Sequence, residues 1–278
     1  MKQTFDIKRF WKYFLYDLRQ MWLNNGRAAI MIGCSGLMLY TVGVILNLVF
    51  YHTWNAPGII LRSVVFFISI AALVLYQPKS YGYITDKRAG SDWLMIPASV
   101  LEKFISMMII TLIVTPIIFV SVYMCADWLL SLIDPTFGTS LIAGSSELIR
   151  DILDGINDNF DPYLITPGMF FFALTTQMWG NFLYFLFFGL VFKKYKLVGA
   201  LAVLMLGQFL IVSSVGMVIS YIDSDTLLTW LENMFGPKEL WDPRTFLKNI
   251  WWGGNVLNLT LLSAWACGIY FRLKSIKH

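Results

Sequence analysis

Residues Phe104–Leu129 read FISMMIITLIVTPIIFVSVYMCADWL, twenty-six positions with one charge, Asp127, close to the far end. A bilayer core of about 30 Å needs roughly 20 apolar residues of helix to cross it. Backbone N–H and C=O groups find no partner in hydrocarbon, so a stretch of this kind has to be helical. Five more stretches repeat the pattern, over residues 28–51, 59–76, 169–192, 197–221 and 250–271. The predicted fold is therefore all-α, a membrane domain of six transmembrane helices over residues 28–278. Residues 1–27 form an N-terminal cytoplasmic segment ahead of it.

Composition agrees with this reading. The chain has 278 residues, of which 58% are hydrophobic and 14% charged, against about 25% charged in ordinary soluble domains. The connections are too short for a second globular domain.

The signs of the charges are sorted. Residues 1–27, 77–103, 193–196 and 272–278 hold 16 of the 21 basic residues and five of the 17 acidic ones. Lys and Arg accumulate in cytoplasmic loops, so both termini are predicted to be cytoplasmic, in a multi-pass membrane protein. The net charge of +4 follows this topology and does not point to nucleic acid. Cys34, Cys125 and Cys267 all fall in spans, which excludes a disulfide framework in the outer loops and fits apolar packing. The first residues lack the short apolar core and cleavage site of a secretory signal.

Between residues 5 and 22, Ile7, Phe10, Trp11, Phe14, Leu15, Leu18, Met21 and Trp22 recur at helical spacing, with Lys8, Arg9, Lys12 and Asp17 elsewhere on the wheel. An aromatic stripe beside basic residues predicts an amphipathic helix in the headgroup plane. Asn24-Asn25-Gly26 predicts a turn into the first span. Arg62 lies near the end of span two and is expected to snorkel outward in a structural role; Asp127 is expected to be interfacial. Amphipathic outer helices are predicted near residues 145–157 and 227–235. The acidic faces there do not follow the spacing of a calcium loop.

The loop Gln77–Lys103 is the most informative connection. A short surface helix is predicted over residues 84–95, closed by Pro97. Ser99 and Glu102 then have capping-box spacing: the hydroxyl accepts from the Glu102 N–H and the carboxylate reaches back to the Ser99 N–H.

Catalytic chemistry finds little material. No phosphate-binding loop, His-Glu-x-x-His pair or Gly-x-Ser-x-Gly elbow is present. The two histidines, His52 and His278, lie outside the spans. Ionisable residues within the spans are scarce, against an ion-coupled carrier. The chain is read as a non-enzyme without cofactor or metal. The amides Asn47, Gln177, Asn181, Gln208 and Asn255 within or beside the spans fit helix packing first, and a substrate path second. Small residues at Gly33, Ser35 and Gly36 fit close packing.

Six spans, an amphipathic N-terminal helix, and the string Ile96-Pro97-Ala98-Ser99-Val100-Leu101-Glu102-Lys103 together resemble the ABC-2-type permease subunits of bacterial ABC transporters. The string is similar to a Leu-Pro-Ala-Ser-x-x-Glu-Lys motif of permease-like proteins, with Ile in place of the first Leu. The resemblance implies a permease subunit that moves a substrate across the membrane, in the export direction, on ATP hydrolysed by a separate ATP-binding subunit. It implies a homodimer or heterodimer of permease subunits in membrane lipid. It also implies a coupling helix on the ATPase that includes Tyr83, Asp86, Lys87, Arg88, Asp92 and Trp93, beside a loop motif of Pro97, Ser99, Glu102 and Lys103. Two other classes remain: a membrane scaffold or sensor whose outer loops bind a partner without transport, and a membrane enzyme or ion-coupled carrier.

Overall fold

The computed structural model describes residues 5–86, 89–144, 147, 150, 167–221 and 243–276. Helix dominates, with no strand among the described residues. The chain opens with α1 (Ile7–Met21), capped by Asp6, whose carboxylate accepts from the Lys8 N–H at 2.9 Å. No turn follows. Trp22–Gly26 winds as a π-turn directly into α2 (Arg27–Gly33), correcting the break expected at Asn24-Asn25-Gly26. A bend at Cys34 leads to α3 (Ser35–Tyr51), which His52 ends in the left-handed conformation. The return is tight: a Cβ on Gly43 would lie 2.7 Å from Pro57 Cγ, and Asn47 Nδ2 donates to the Asn55 carbonyl at 2.8 Å.

Next come α4 (Ile59–Gly82), α5 (Ala89–Met95), α6 (Val100–Ile109) and, through a second π-turn at Ile110–Val114, α7 (Thr115–Ile133). The last three are α8 (Pro167–Val191), α9 (Lys196–Tyr221) and α10 (Pro243–Ser275). Span two therefore runs past Tyr76, with Pro78 inside the helix. The outer helices expected near residues 145–157 and 227–235 lie almost wholly outside the described residues.

Among the described residues, four helical segments are long and apolar enough to cross a membrane: Arg27–Tyr51, Ile59–Thr85, Val100–Ile133 and Trp251–Ser275. At the two other expected positions, α8 is a 25-residue helix interrupted by Gln177 and Asn181, and α9 carries a shorter apolar stretch over Lys196–Leu210. The outward faces carry large apolar side chains, among them Val49, Phe50, Ile60, Ile68, Met205 and Phe209. A water-soluble surface rarely carries patches of that extent, whereas lipid imposes no cost on them.

Two buried clusters hold the bundle. One, at the end carrying the N-terminus (the basic end), joins Met21, Tyr81, Ile84, Trp93, Met107, Leu186, Leu190, Ile269 and Leu273. The other lies deeper and joins Ala29, Leu73, Phe119, Tyr123, Phe182, Phe185 and Ala200. Small residues set the close approaches: Ser35 Oγ and Ser69 Oγ are 2.6 Å apart, and a Cβ on Gly33 would meet Val122 at 2.9 Å.

Arg62 corrects the sequence expectation: its side chain does not reach outward but is buried, and Asp127 is buried with it. Arg62 pairs with Asp127 at 2.9 Å and donates to the carbonyls of Phe137 and Thr139, its guanidinium 3.9 Å from the centre of the Phe137 ring. Asp127 also accepts from the Leu141 N–H at 2.6 Å. The loop after α7 folds back over the charge and supplies the partners that water would have offered. A second anchor lies beside it, where Asp134 accepts from Tyr40, Trp54 and Thr136. Burial works against ionisation of Asp134, but those hydrogen bonds prevail and bring its pKa down to about 2.

Candidate functional site

The connection from α4 to α6 is built by local rules and then locked by distant ones. After Gly82 the chain tightens into a 3₁₀ turn, Tyr83–Thr85, where Thr85 Oγ1 donates to the Gly82 carbonyl. Helix α5 ends at Met95, just before Pro97, and the capping box opens α6. Glu102 accepts from the Ser99 N–H at 2.8 Å, and Ser99 Oγ accepts from the Glu102 N–H at 3.2 Å. The proline stop and the reciprocal cap expected from the sequence are present, while the short helix covers Ala89–Met95 rather than 84–95, with Tyr83–Thr85 in the 3₁₀ turn.

Glu102 does more than cap. It is fully buried and takes a two-pronged contact from Arg9 on α1, with the closest approach 2.7 Å, plus the Asp6 N–H at 2.9 Å. The N-terminal helix is thus fastened to the start of span three through the motif carboxylate. The pairing is invisible to local spacing, because Arg9 sits 93 residues away.

Lys103, the next residue, faces inward. Its Nζ donates to the Trp93 carbonyl at 2.7 Å and lies 4.3 Å from the centre of the Trp93 ring. A cation on the last carbonyls of a helix satisfies groups that the helix itself leaves orphaned. Trp93 is buried, so α5 is pinned to α6 from beneath. Among its described positions, two apolar residues face outward: Leu94 is 39% and Met95 79% exposed. Pro97 is exposed at the corner.

Behind this loop, α1 turns Tyr13, Asp17 and Met21 toward the bundle. Asp17, expected on the polar side of the wheel, is buried and accepts from Ser106 Oγ at 2.6 Å and Tyr81 Oη at 3.2 Å. Burial pushes its pKa up to about 6 against the opposing effect of those two hydrogen bonds. The outward side of α1 exposes Ile7, Trp11, Leu15 and Trp22, with Lys8 and Lys12 exposed beside them.

The remaining loop residues divide. Tyr83 is half-buried, and Asp86 is exposed and paired with Lys196 of α9 at 2.9 Å. Asp92 lies in α5, but its side chain, like the whole of Lys87 and Arg88, lies outside the described residues. No hydrogen bond joins any two of the five amides. Asn47 closes the turn after α3, Gln177 and Gln208 face outward and Asn181 is half-buried. Asn255 is buried, with Nδ2 donating to the Trp251 carbonyl at 2.9 Å and Oδ1 unpartnered.

No group of three His, Cys, Asp or Glu residues suited to a metal occurs among the described residues. A short helix, with Leu94 and Met95 exposed at its end, is held by one cation to a long apolar helix, beside an amphipathic helix held by one anion to the same point. No family model, curated protein or solved structure matches the chain.

Proposed function

We propose that the chain is the membrane permease subunit of an ATP-driven transporter, working with a separate ATP-binding subunit at the basic end of the bundle. Six spans with both termini on the cytoplasmic side belong to this reading, as does a paired assembly of two permease subunits. The observation that carries it is the clamp of α5 to α6 by Lys103, with Leu94 and Met95 left outward. A partner that grips those side chains moves the start of span three with them, because the Trp93–Lys103 contact leaves little slack between the two helices. The Arg9–Glu102 pair carries the same displacement into α1. ATP binding and hydrolysis then favour different arrangements of the spans to the extent that the partner binds them with different affinity.

The test is affinity purification of the full chain from its native membranes, with identification of every bound protein. The expected result is an ATP-binding subunit in near-stoichiometric amount, lost when Met95→Asp or the charge reversal K87E/R88E is introduced. A stable protein that never recovers an ATPase would overturn the reading and favour a scaffold or sensor.

A further inference from the structure

A cleft of about 470 Å³ opens at the basic end, between the end of α4 and the turn joining α8 to α9. Its lining includes Lys79, Lys193 and Lys196, with Tyr83, Leu197 and Val198. Lys196 is held in place by the Gly82 carbonyl and by Asp86. Lys79 and Lys193 are exposed, and neither pairs with a carboxylate among the described residues. The lining thus holds three cations and one acidic group, Asp86, which is already paired with Lys196.

From the cleft, one face of α9 continues away as an apolar stripe. Val198, Ala202, Met205 and Phe209 recur at helical spacing and all are exposed, Val198 by 63% and Phe209 by 70%. At 1.5 Å per residue the stripe is about 16 Å long. A cationic rim at the ends of apolar helices, opening onto an outward apolar track, has the polarity of one molecule: a phosphate headgroup with its acyl chain attached.

We infer that this cleft binds an anionic phospholipid, its headgroup phosphate between Lys79, Lys193 and Lys196 and an acyl chain along Val198–Phe209. Basic pockets between helices at a membrane surface attract anionic headgroups by about 1 kcal/mol per Lys. A second copy of the chain is a poorer occupant, because two-fold pairing through this face would set lysine against lysine. The inference stands independently of the ATPase reading, since it uses only the cleft and the stripe.

The experiment is native mass spectrometry of the purified full-length protein titrated with phosphatidylglycerol or phosphatidylcholine of identical acyl chains. The expected result is preferential retention of phosphatidylglycerol, falling about fivefold or more in K79Q/K193Q. The same charge removed from α1 in K8Q/K12Q should change retention less than about twofold, because diffuse surface attraction is weak and screened. Equal retention of the two lipids in the unaltered protein would overturn the proposal. So would an equal loss in K8Q/K12Q, which would mark diffuse attraction, or displacement of the lipid by millimolar inorganic phosphate, which would mark a site for the free anion. Thermal melting of both variants confirms that they are folded.

Discussion

Arg9 and Glu102 meet at 2.7 Å across 93 residues of chain, and the same carboxylate caps α6. One side chain therefore joins local helix chemistry to the attachment of the N-terminal helix. The two roles separate by mutation. Ser99→Ala removes only the cap acceptor and should cost about 1 kcal/mol. Glu102→Ala also removes the carboxylate that Arg9 and the Asp6 N–H share, so the start of α1 should loosen. Limited proteolysis in detergent micelles should cut within residues 7–21 readily in the Glu102 variant and slowly in the Ser99 variant. Equal rates would show that Arg9 contributes nothing to holding α1.

Asp17 gives this end of the bundle a pH dependence of known sign. Its pKa in the folded chain is raised to about 6 by burial, above the ordinary carboxylate range. Well below pH 4 the group is protonated in both folded and unfolded chains and its burial has no ionic cost. As pH rises from about 4 to 6 the unfolded chain releases the proton while the folded chain keeps it, so stability falls by roughly 3 kcal/mol at most and levels off above 6. Tyr13, Tyr81, Tyr83 and Ser106 lie around it, and no cation pairs with it among the described residues. Asp17→Asn keeps a hydrogen-bond acceptor and loses the titration. Melting temperatures across pH 4 to 8 should show the unaltered protein weakening toward neutrality relative to this variant; parallel profiles would contradict the assignment.

The features read correctly from sequence are those written in short-range spacing. Ser99 and Glu102 lie three apart and form the box that their spacing predicts. The α1 stripe recurs every three to four residues and gives a helix over Ile7–Met21. What local spacing missed has partners far away. Nothing near Arg62 indicates that Asp127, Phe137 and Thr139 will close over it, so a charge near a span end looked solvent-directed. Asp17 is polar and adjacent to Arg19 in pattern, yet Ser106 and Tyr81 draw it inward. The Asn24-Asn25-Gly26 turn failed for a different reason: a π-turn keeps helical hydrogen bonding through residues whose propensity favours a break. Pro78 sits inside α4 because Gly189 of α8 leaves room for it, which no property of α4 alone announces.

The Arg62–Asp127 pair should behave as a buried unit. Arg62→Met leaves Asp127 without its cation and should cost about 3–5 kcal/mol. Adding Asp127→Asn removes the stranded charge while keeping an acceptor for the Leu141 N–H, and should return about 1–3 kcal/mol of that loss. Denaturant unfolding in detergent measures both. A double variant no more stable than Arg62→Met would mean that the pair is not coupled.

Lys103 is expected to control the order of α5. Lys103→Met keeps length and apolar bulk but loses the bond to the Trp93 carbonyl and the cation over its ring. A charged hydrogen bond of this kind contributes about 1.5–3 kcal/mol, so local opening should become about tenfold or more frequent. Hydrogen exchange of residues 93–98 should accelerate accordingly, with protection in α7 unchanged. Exchange that rises uniformly over the chain would show global destabilisation and count against a local clamp.

Gly189 offers the sharpest test of how α4 and α8 pack. A Cβ at Gly189 would lie 2.7 Å from Pro78 Cα and 3.2 Å from its carbonyl oxygen, and backbone cannot rotate away as a side chain can. Gly180, nine residues earlier on the same helix, has nothing within 4 Å of the same added atom. Both changes to Ala raise helix propensity by about 1 kcal/mol, so the intrinsic term is equal and the contact alone distinguishes them. Gly189→Ala should destabilise by about 1–3 kcal/mol through overpacking, while Gly180→Ala should be neutral or stabilising. Thermal melts in one detergent compare them directly. If Gly189→Ala melts no lower than Gly180→Ala, the close crossing of these two helices at Pro78 is wrong, and with it the seating of the α4 end beside α8.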